Sequence, residues 1–202
     1  MIPSFSLEQS LFKKGYKIIA GIDEAGRGAW AGPLVVAAVI LPKDFALRGW
    51  GVKDSKRLSF QARRQSYKLI IKNSVSWNIS VIENTIIDQI GLSQANQKAV
   101  LESFAGLNVE PDYLLIDEMK AETFKPAAFI INGDQKIASI AAASILAKVT
   151  RDEIMKKLHL KFPSYGFSRH KGYGTRLHQA LLAKYGVCEI HRKSYKPIKK
   201  YL

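Results

Sequence analysis

The sequence predicts a mixed α/β fold: a sheet covered by helices, followed by a basic helical region. Three observations carry this. Short apolar runs of strand length dominate the first half in meander-like order, later runs alternate with helical segments, and Lys and Arg concentrate toward the C-terminus.

Tyr16–Asp23 (YKIIAGID) reads as a strand ending in a glycine-rich turn. Pro33–Leu41 (PLVVAAVIL), nearly all apolar and closed by Pro42, suits a strand buried on both faces. Ser59 is placed to cap a helix over Phe60–Lys72, because its hydroxyl can accept a free N–H of the first turn. Ser76–Ile82 (SWNISVI) alternates with the period of a strand, and Ser93 is a second candidate cap, for a helix reaching Ala105. Tyr113–Asp117 (YLLID) and Ala127–Asn132 (AAFIIN) are two further short strands. Lys136–His159, rich in Ala, Ile and Lys, predicts one long helix whose AAAS stretch permits close packing. Pro163 and the glycines of Lys161–Thr175 predict a loop, and Thr175–Lys184 a last helix. The tail KSYKPIKKYL reads as an arm on nucleic acid or, for its last residues, a frayed end.

Composition narrows the function classes. At 47% hydrophobic the chain can bury a core, yet no apolar run is long enough for a membrane span and the start lacks a secretory apolar stretch. No membrane partner and a cytoplasmic location are therefore expected. A single cysteine, Cys188, excludes an internal disulfide and a Cys-rich zinc site, and reads as a half-buried thiol. The net charge is +14: residues 1–150 carry 18 basic and 14 acidic side chains, and residues 151–202 carry 13 and 3. So uneven a balance points to an anionic partner without naming it.

Against this basic background, three predicted strands, or the turns just after them, carry acids: Asp23-Glu24, Asp117 (with Glu118) and Asp134. One such acid reads more readily as a turn or cap residue. Three together suggest a site, since clustered carboxylates repel and a hard divalent cation relieves that repulsion. Adjacent strand residues point to opposite faces, so Asp23 and Glu24 converge only if the chain bends at Glu24, which Ala25–Gly28 would permit. The four histidines, at 159, 170, 178 and 191, lack an HExxH pattern or a cysteine partner that would favour zinc.

The segment GIDEAGRGAWAGPLVVAAVIL (Gly21–Leu41) resembles the opening signature of ribonuclease HII. The resemblance continues in order through Asp54–Leu58 (DSKRL), YLLID, Gly133–Asp152 (GDQKIASIAAASILAKVTRD) and Tyr165–Thr175 (YGFSRHKGYGT). It implies an RNase H-like catalytic domain over 1–160 and a basic substrate-binding loop and helical region over 161–202. It implies four catalytic, metal-binding acids, Asp23, Glu24, Asp117 and Asp134, holding Mg²⁺ or Mn²⁺. Asp152 is a rival for the fourth place, set aside because it lies inside a helix beside Arg151, where an ion pair is the simpler reading. One departure is Glu118, where many family members carry glycine.

The resemblance further implies that Gly26, Arg27 and Gly28 contact a ribonucleotide and that Tyr173 senses the RNA–DNA junction. Arg169, His170 and Lys171 are candidates to hold phosphates, as are Lys56 and Lys148. The implied activity is cleavage of the RNA strand of RNA/DNA hybrids, and on the 5′ side of single ribonucleotides in duplex DNA, by a two-metal reaction leaving 3′-OH and 5′-phosphate ends. A monomer is expected. Rival readings are another nuclease of RNase H-like fold, which does not predict DEAGRG with HKGYGT, and a non-catalytic nucleic-acid binder, which leaves the acids unexplained.

Overall fold

A computed structural model describes residues 2–45, 58–118 and 121–202. The elements, in chain order, are α1 (Ser6–Lys13), β1 (Ile19–Ala25), β2 (Leu34–Ile40), α2 (Phe60–Asn73), β3 (Ser76–Ile82), α3 (Asn84–Ala105), β4 (Tyr113–Asp117), β5 (Ala127–Ile130), α4 (Gly133–Lys136), α5 (Ala138–Lys161), a 3₁₀ turn (Pro163–Tyr165), α6 (Phe167–His170), α7 (Arg176–Tyr185) and α8 (Lys196–Lys199). The sheet order is β3-β2-β1-β4-β5; β3, β2 and β1 are antiparallel, and β4 and β5 add in parallel to β1.

The continuous apolar run of β2 is explained by burial on both faces. Val35, Ala37 and Val39 pack toward α5, while Leu34, Val36, Ala38 and Ile40 pack toward α3. On β1 the same alternation sends Ala20 and Ile22 to the α3 side and Gly21, Asp23 and Ala25 to the α5 side. Helix α5 comes unusually close: a Cβ on Gly21 would lie 2.2 Å from the Ser139 carbonyl carbon. Its small residues Ala141, Ala142, Ala143 and Ser144 permit that approach.

Several expectations are corrected. The sequence reading gave no helix before β1, yet α1 is present, and its Glu8 is buried and accepts hydrogen bonds from Ser139 N (3.0 Å) and Ser139 Oγ (2.8 Å). A carboxylate thus satisfies a free donor at the start of α5, whose own N-cap, Ile137, has no capping side chain. The predicted long helix begins at Ala138, because Ile137 is extended and forms a bridge with Ser4. Ser59 caps α2 as expected, accepting from Ala62 N at 3.2 Å. The helix expected from Ser93 to Ala105 is the second of two helical stretches, which meet at a kink at Gly91 (φ 79°), and the first begins at Asn84.

The predicted loop 161–175 holds the 3₁₀ turn and α6, and Thr175 caps α7. The tail is not frayed through Ile198, which is fully buried with Phe167, Leu182 and Ile190. Asp88 fastens its approach, accepting from Lys193 N (2.8 Å), Ser194 N (2.9 Å) and Ser194 Oγ (2.6 Å). Among the described residues no helix is long and apolar enough to cross a membrane. Cys188 is a half-buried free thiol.

Gly21→Ala is expected to lower unfolding free energy by about 1–3 kcal/mol, the scale of core overpacking, in a denaturant titration. An unchanged midpoint would show that α5 can move away from β1 without loss.

Candidate metal centre and substrate cleft

The parallel register of β1 and β4 pairs Ile22 with Ile116, which sets the next residues, Asp23 and Asp117, abreast on the α5 face. After β5 the chain turns through Asn132 in a left-handed conformation (φ 55°) into α4, which presents Asp134. Gly133 N donates to Asp117 Oδ1 at 2.6 Å and fixes the α4 turn against that acid. Asp23, Asp117 and Asp134 each place a carboxylate oxygen within 4.8 Å of the other two. These three form the only such group of potential metal ligands among the described residues.

Glu24 stands apart. The strand does not bend at Glu24; pairing continues through Ala25, and the turn follows at Gly26 (φ 92°). Glu24 therefore lies outside the three-acid group, but lines the same cavity of about 350 Å³ with Asp23, Asp117 and Glu118. Burial raises the Asp23 carboxyl well above its ordinary range, and the charges of Glu24 and Asp117 add to the effect. Hydrogen bonds from the Ser144 side chain and from Glu24 N (2.7 Å) oppose it only in part.

This donor set fits a divalent cation. Its oxygens are hard, and their spread is comparable with the roughly 4 Å across an octahedral oxygen shell. A cation would also supply the charge that the buried carboxylates lack.

The cavity also contains Gly26, Arg27, Gly28, Lys148 and Tyr173, so strand ends, glycine turn and basic loop meet in one cleft. Arg63 and Ser144 line it too, although the sequence reading did not single them out. Lys148 pairs with Asp152 at 2.7 Å. The expected Asp152–Arg151 pair is replaced by this contact, because Arg151 turns the other way. Of the remaining phosphate candidates, Arg169 is exposed, and Lys171 folds back so that its ammonium donates to the Ser168 carbonyl. His170 is buried and bonded at both ring nitrogens, to Tyr165 O (2.7 Å) and Gly172 N (3.2 Å), so its role is corrected to packing. Lys56 lies outside the described residues. Glu118 is exposed and has a positive φ of 27°, a conformation glycine adopts more easily.

Two fully buried arginines shape the cleft, and neither was foreseen. Arg151 donates to Pro33 O (2.9 Å), Ala31 O (3.1 Å) and Lys171 O (3.0 Å), and lies 5.2 Å from the Tyr173 ring centre. A Cβ on Gly26 would come within 1.9 Å of Arg151 Nε, so this turn position requires glycine. Burial brings the Arg151 guanidinium down to about 10, which leaves it charged at neutral pH. Arg192 donates to Gly32 O (3.0 Å), Arg27 O (3.0 Å) and Tyr195 Oη (2.8 Å), and Tyr195 Oη in turn donates to Arg27 O at 2.8 Å. Trp30 N donates to Gly172 O (2.8 Å), tying the two loops together directly.

Three histidines support the Tyr173 loop. Cys188 N donates to His191 Nδ1 (2.9 Å), which leaves His191 Nε2 to donate to His178 Nε2 (3.0 Å), and His178 Nδ1 to donate to Tyr173 O (3.1 Å). A proton added to either ring would set two donors against each other. Burial lowers His178 and His191 to about 4 each, and His170 is also lowered. These occupied nitrogens replace the zinc alternative.

Stability should therefore depend on pH. Above pH 6.5 both folded and unfolded chains hold the rings neutral, and the contribution to stability is complete. As pH falls from 6.5 toward 4, the unfolded chain takes up protons that the folded chain refuses. The melting temperature should decline through that window, and less steeply in His178→Gln/His191→Gln. An equal slope in both proteins would exclude the histidine chain as a source.

A family model described as Ribonuclease HII matches residues 20–198. A curated ribonuclease HII of Bacillus mycoides (strain KBAB4) is 49% identical over 192 residues, covering 95% of this chain and 74% of that protein. A Bacillus cereus (strain Q1) ribonuclease HII is 48% identical over the same shares. Among solved structures, the ribonuclease H2 of Pyrococcus horikoshii OT3 superposes with a TM-score of 0.77 at 24% identity, covering 92% of this chain and 97% of that one. The RNase HII of Archaeoglobus fulgidus, solved in complex with PCNA, gives 0.75 at 26%, covering 89% and 96%. Bst-RNase HIII, solved in complex with Mn²⁺, gives 0.68 at 20%, covering 91% and 68%.

Proposed function

Because the chain belongs to the ribonuclease HII family, a metal-dependent ribonuclease acting on the RNA strand of RNA/DNA hybrids, we propose that it also cuts on the 5′ side of single ribonucleotides in duplex DNA, leaving 3′-OH and 5′-phosphate ends. The observation that carries this reading is the meeting of the three-carboxylate group, the Gly26–Gly28 turn and Tyr173 in one cavity.

Asp23, Asp117 and Asp134 would hold a divalent cation, with Glu24 completing the set toward a second. When bound, a pair of such ions stabilises the attacking and leaving oxygens of an in-line displacement. The chain's own residues do the selecting. The Gly26–Gly28 turn brings main-chain groups toward the sugar, where a 2′-OH can both donate and accept. Tyr173 stands opposite, its ring able to stack on a neighbouring sugar or base. Arg151 and Arg192 hold turn and loop in place before substrate arrives, which reduces the ordering required on binding. Arg27 and Lys148 face the cavity as phosphate contacts. Arg169 lies on the surface of the same loop region, and Lys171 is half-buried with its ammonium on the Ser168 carbonyl.

The test uses an end-labelled DNA duplex with one embedded ribonucleotide, incubated with Mg²⁺ or Mn²⁺ and with or without EDTA. One cut on the 5′ side, abolished by EDTA, is expected. Asp23→Asn should reduce cleavage about 100-fold or more, the scale of removing a charge-stabilising group, while duplex affinity stays within a few-fold. Tyr173→Ala should lose activity on the single ribonucleotide more than on a continuous hybrid. An intact single-ribonucleotide duplex beside a cleaved hybrid would overturn the junction-sensing assignment. An uncut pair of substrates would overturn the catalytic one.

A further inference from the structure

A second cleft lies in the seam between α2 and α5. It is lined by Arg64, Tyr67 and Lys68 from α2 and by Val149, Thr150, Glu153, Ile154 and Lys157 from α5. The catalytic cavity is lined by the immediately preceding residues of the same helices, Arg63 and Lys148. The two clefts therefore share α2 and α5 as walls.

The chemistry of this seam suits a polyanion. Arg64, Lys68 and Lys157 are exposed, and the one acid on the seam, Glu153, is already paired with Lys156 at 2.9 Å. Beside it the half-exposed Phe60 ring has Lys156 Nζ 4.0 Å and the Arg64 guanidinium 5.7 Å from its centre, which adds one more cationic group, Lys156, to the neighbourhood. The Thr150 hydroxyl lines the cleft, is buried, and has no hydrogen-bond partner among the described residues.

We propose that this seam holds the sugar-phosphate backbone of the duplex arm leaving the catalytic cavity, with Arg64, Lys68 and Lys157 as its phosphate contacts. The proposal rests on the nucleic-acid reading of the catalytic site, and adds a track on α2 and α5 separate from the basic C-terminal region. These contacts carry no sequence information; they position the duplex and add salt-dependent affinity.

The test measures binding, so that it does not depend on cleavage. A labelled DNA duplex of about 20 base pairs, roughly two helical turns, without ribonucleotides, is titrated by fluorescence anisotropy over a range of salt. The protein is compared with Arg64→Ala/Lys68→Ala/Lys157→Ala and with a charge-matched control, Lys13→Ala/Lys14→Ala/Lys17→Ala, on exposed residues around α1. The slope of log affinity against log salt should become shallower by about 2–3 in the seam variant, near 0.9 for each phosphate that is no longer neutralised. The control should keep the parent slope, and kcat at saturating hybrid should stay within about twofold, as for side chains that bind substrate and transition state equally. Equal slopes in all three proteins, or an equal change in the two variants, would overturn the seam as a phosphate track while leaving the catalytic reading intact. Failure of the parent protein to bind any duplex would overturn both.

Discussion

The structure is organised around a repulsion. Asp23, Asp117 and Asp134 are held within 4.8 Å of one another, with two of the three buried, where their charges are least screened. No unfolded chain would gather them, so the fold must force the approach. The parallel register of β1 and β4 places two of the acids abreast, and the α4 turn, anchored by Gly133 N on Asp117, delivers the third. The hydroxyl of Ser144 reaches Asp23 only because α5 lies against β1, and α5 lies there because residue 21 has no side chain. Even the first helix serves this arrangement: Glu8 occupies the free amide at the start of α5. A divalent cation would convert that repulsion into binding energy.

The second constraint is the placement of a turn that has little structure of its own. The Gly26–Gly28 segment cannot be fixed by its own side chains, since two are absent and Arg27 is exposed. Arg192 fixes it from outside through the Arg27 carbonyl, while Arg151 packs against Gly26 and binds the Ala31 and Pro33 carbonyls that follow, in both cases through main-chain carbonyls rather than carboxylates. Both guanidiniums are fully buried, so each hydrogen bond they make has to compensate for lost hydration. The consequence is long-range coupling: a residue near the C-terminus sets the conformation of a turn that follows the first strand. The C-terminal region is thus part of the cleft, and the histidine chain ending on Tyr173 O extends the same support to the opposite wall.

Legibility in the sequence followed the range of the interaction. Strands with a one- or two-sided apolar pattern, such as β2 to β4, and the local Ser59 cap were readable because their causes lie within a few residues. The acids were readable because Asp and Glu are unusual at strand ends. Helix α1 was not, since its main polar contact is with Ser139, far along the chain. Nor was the docking of the tail, which depends on Asp88 in another helix. The pairing of Lys148 with Asp152 was misassigned because adjacency in sequence suggested Arg151, whereas helical geometry favours the residue four positions back. His170 looked like a phosphate contact among basic neighbours, and only packing shows that it faces inward.

These features divide affinity from chemistry in space. A chain of net charge +14 attracts nucleic acid over a broad surface, yet the reacting phosphate must approach a group of carboxylates. Attraction at the periphery can hold the duplex while the centre remains repulsive to phosphate until cations bridge the two. Lys148 stands at the boundary: it lines the catalytic cavity but is tied to Asp152, so its charge is partly neutralised where excess attraction would hold substrate and product alike. Exposed cations farther out, on α2 and the distal half of α5, have no such counter-charge to satisfy within the seam beyond Glu153, which Lys156 already engages. On the proposed function, sequence-independent grip falls to the outer contacts and selection to the few groups at Gly26–Gly28 and Tyr173, a separation that would let duplexes of any sequence be held weakly and cut only where the sugar completes the centre.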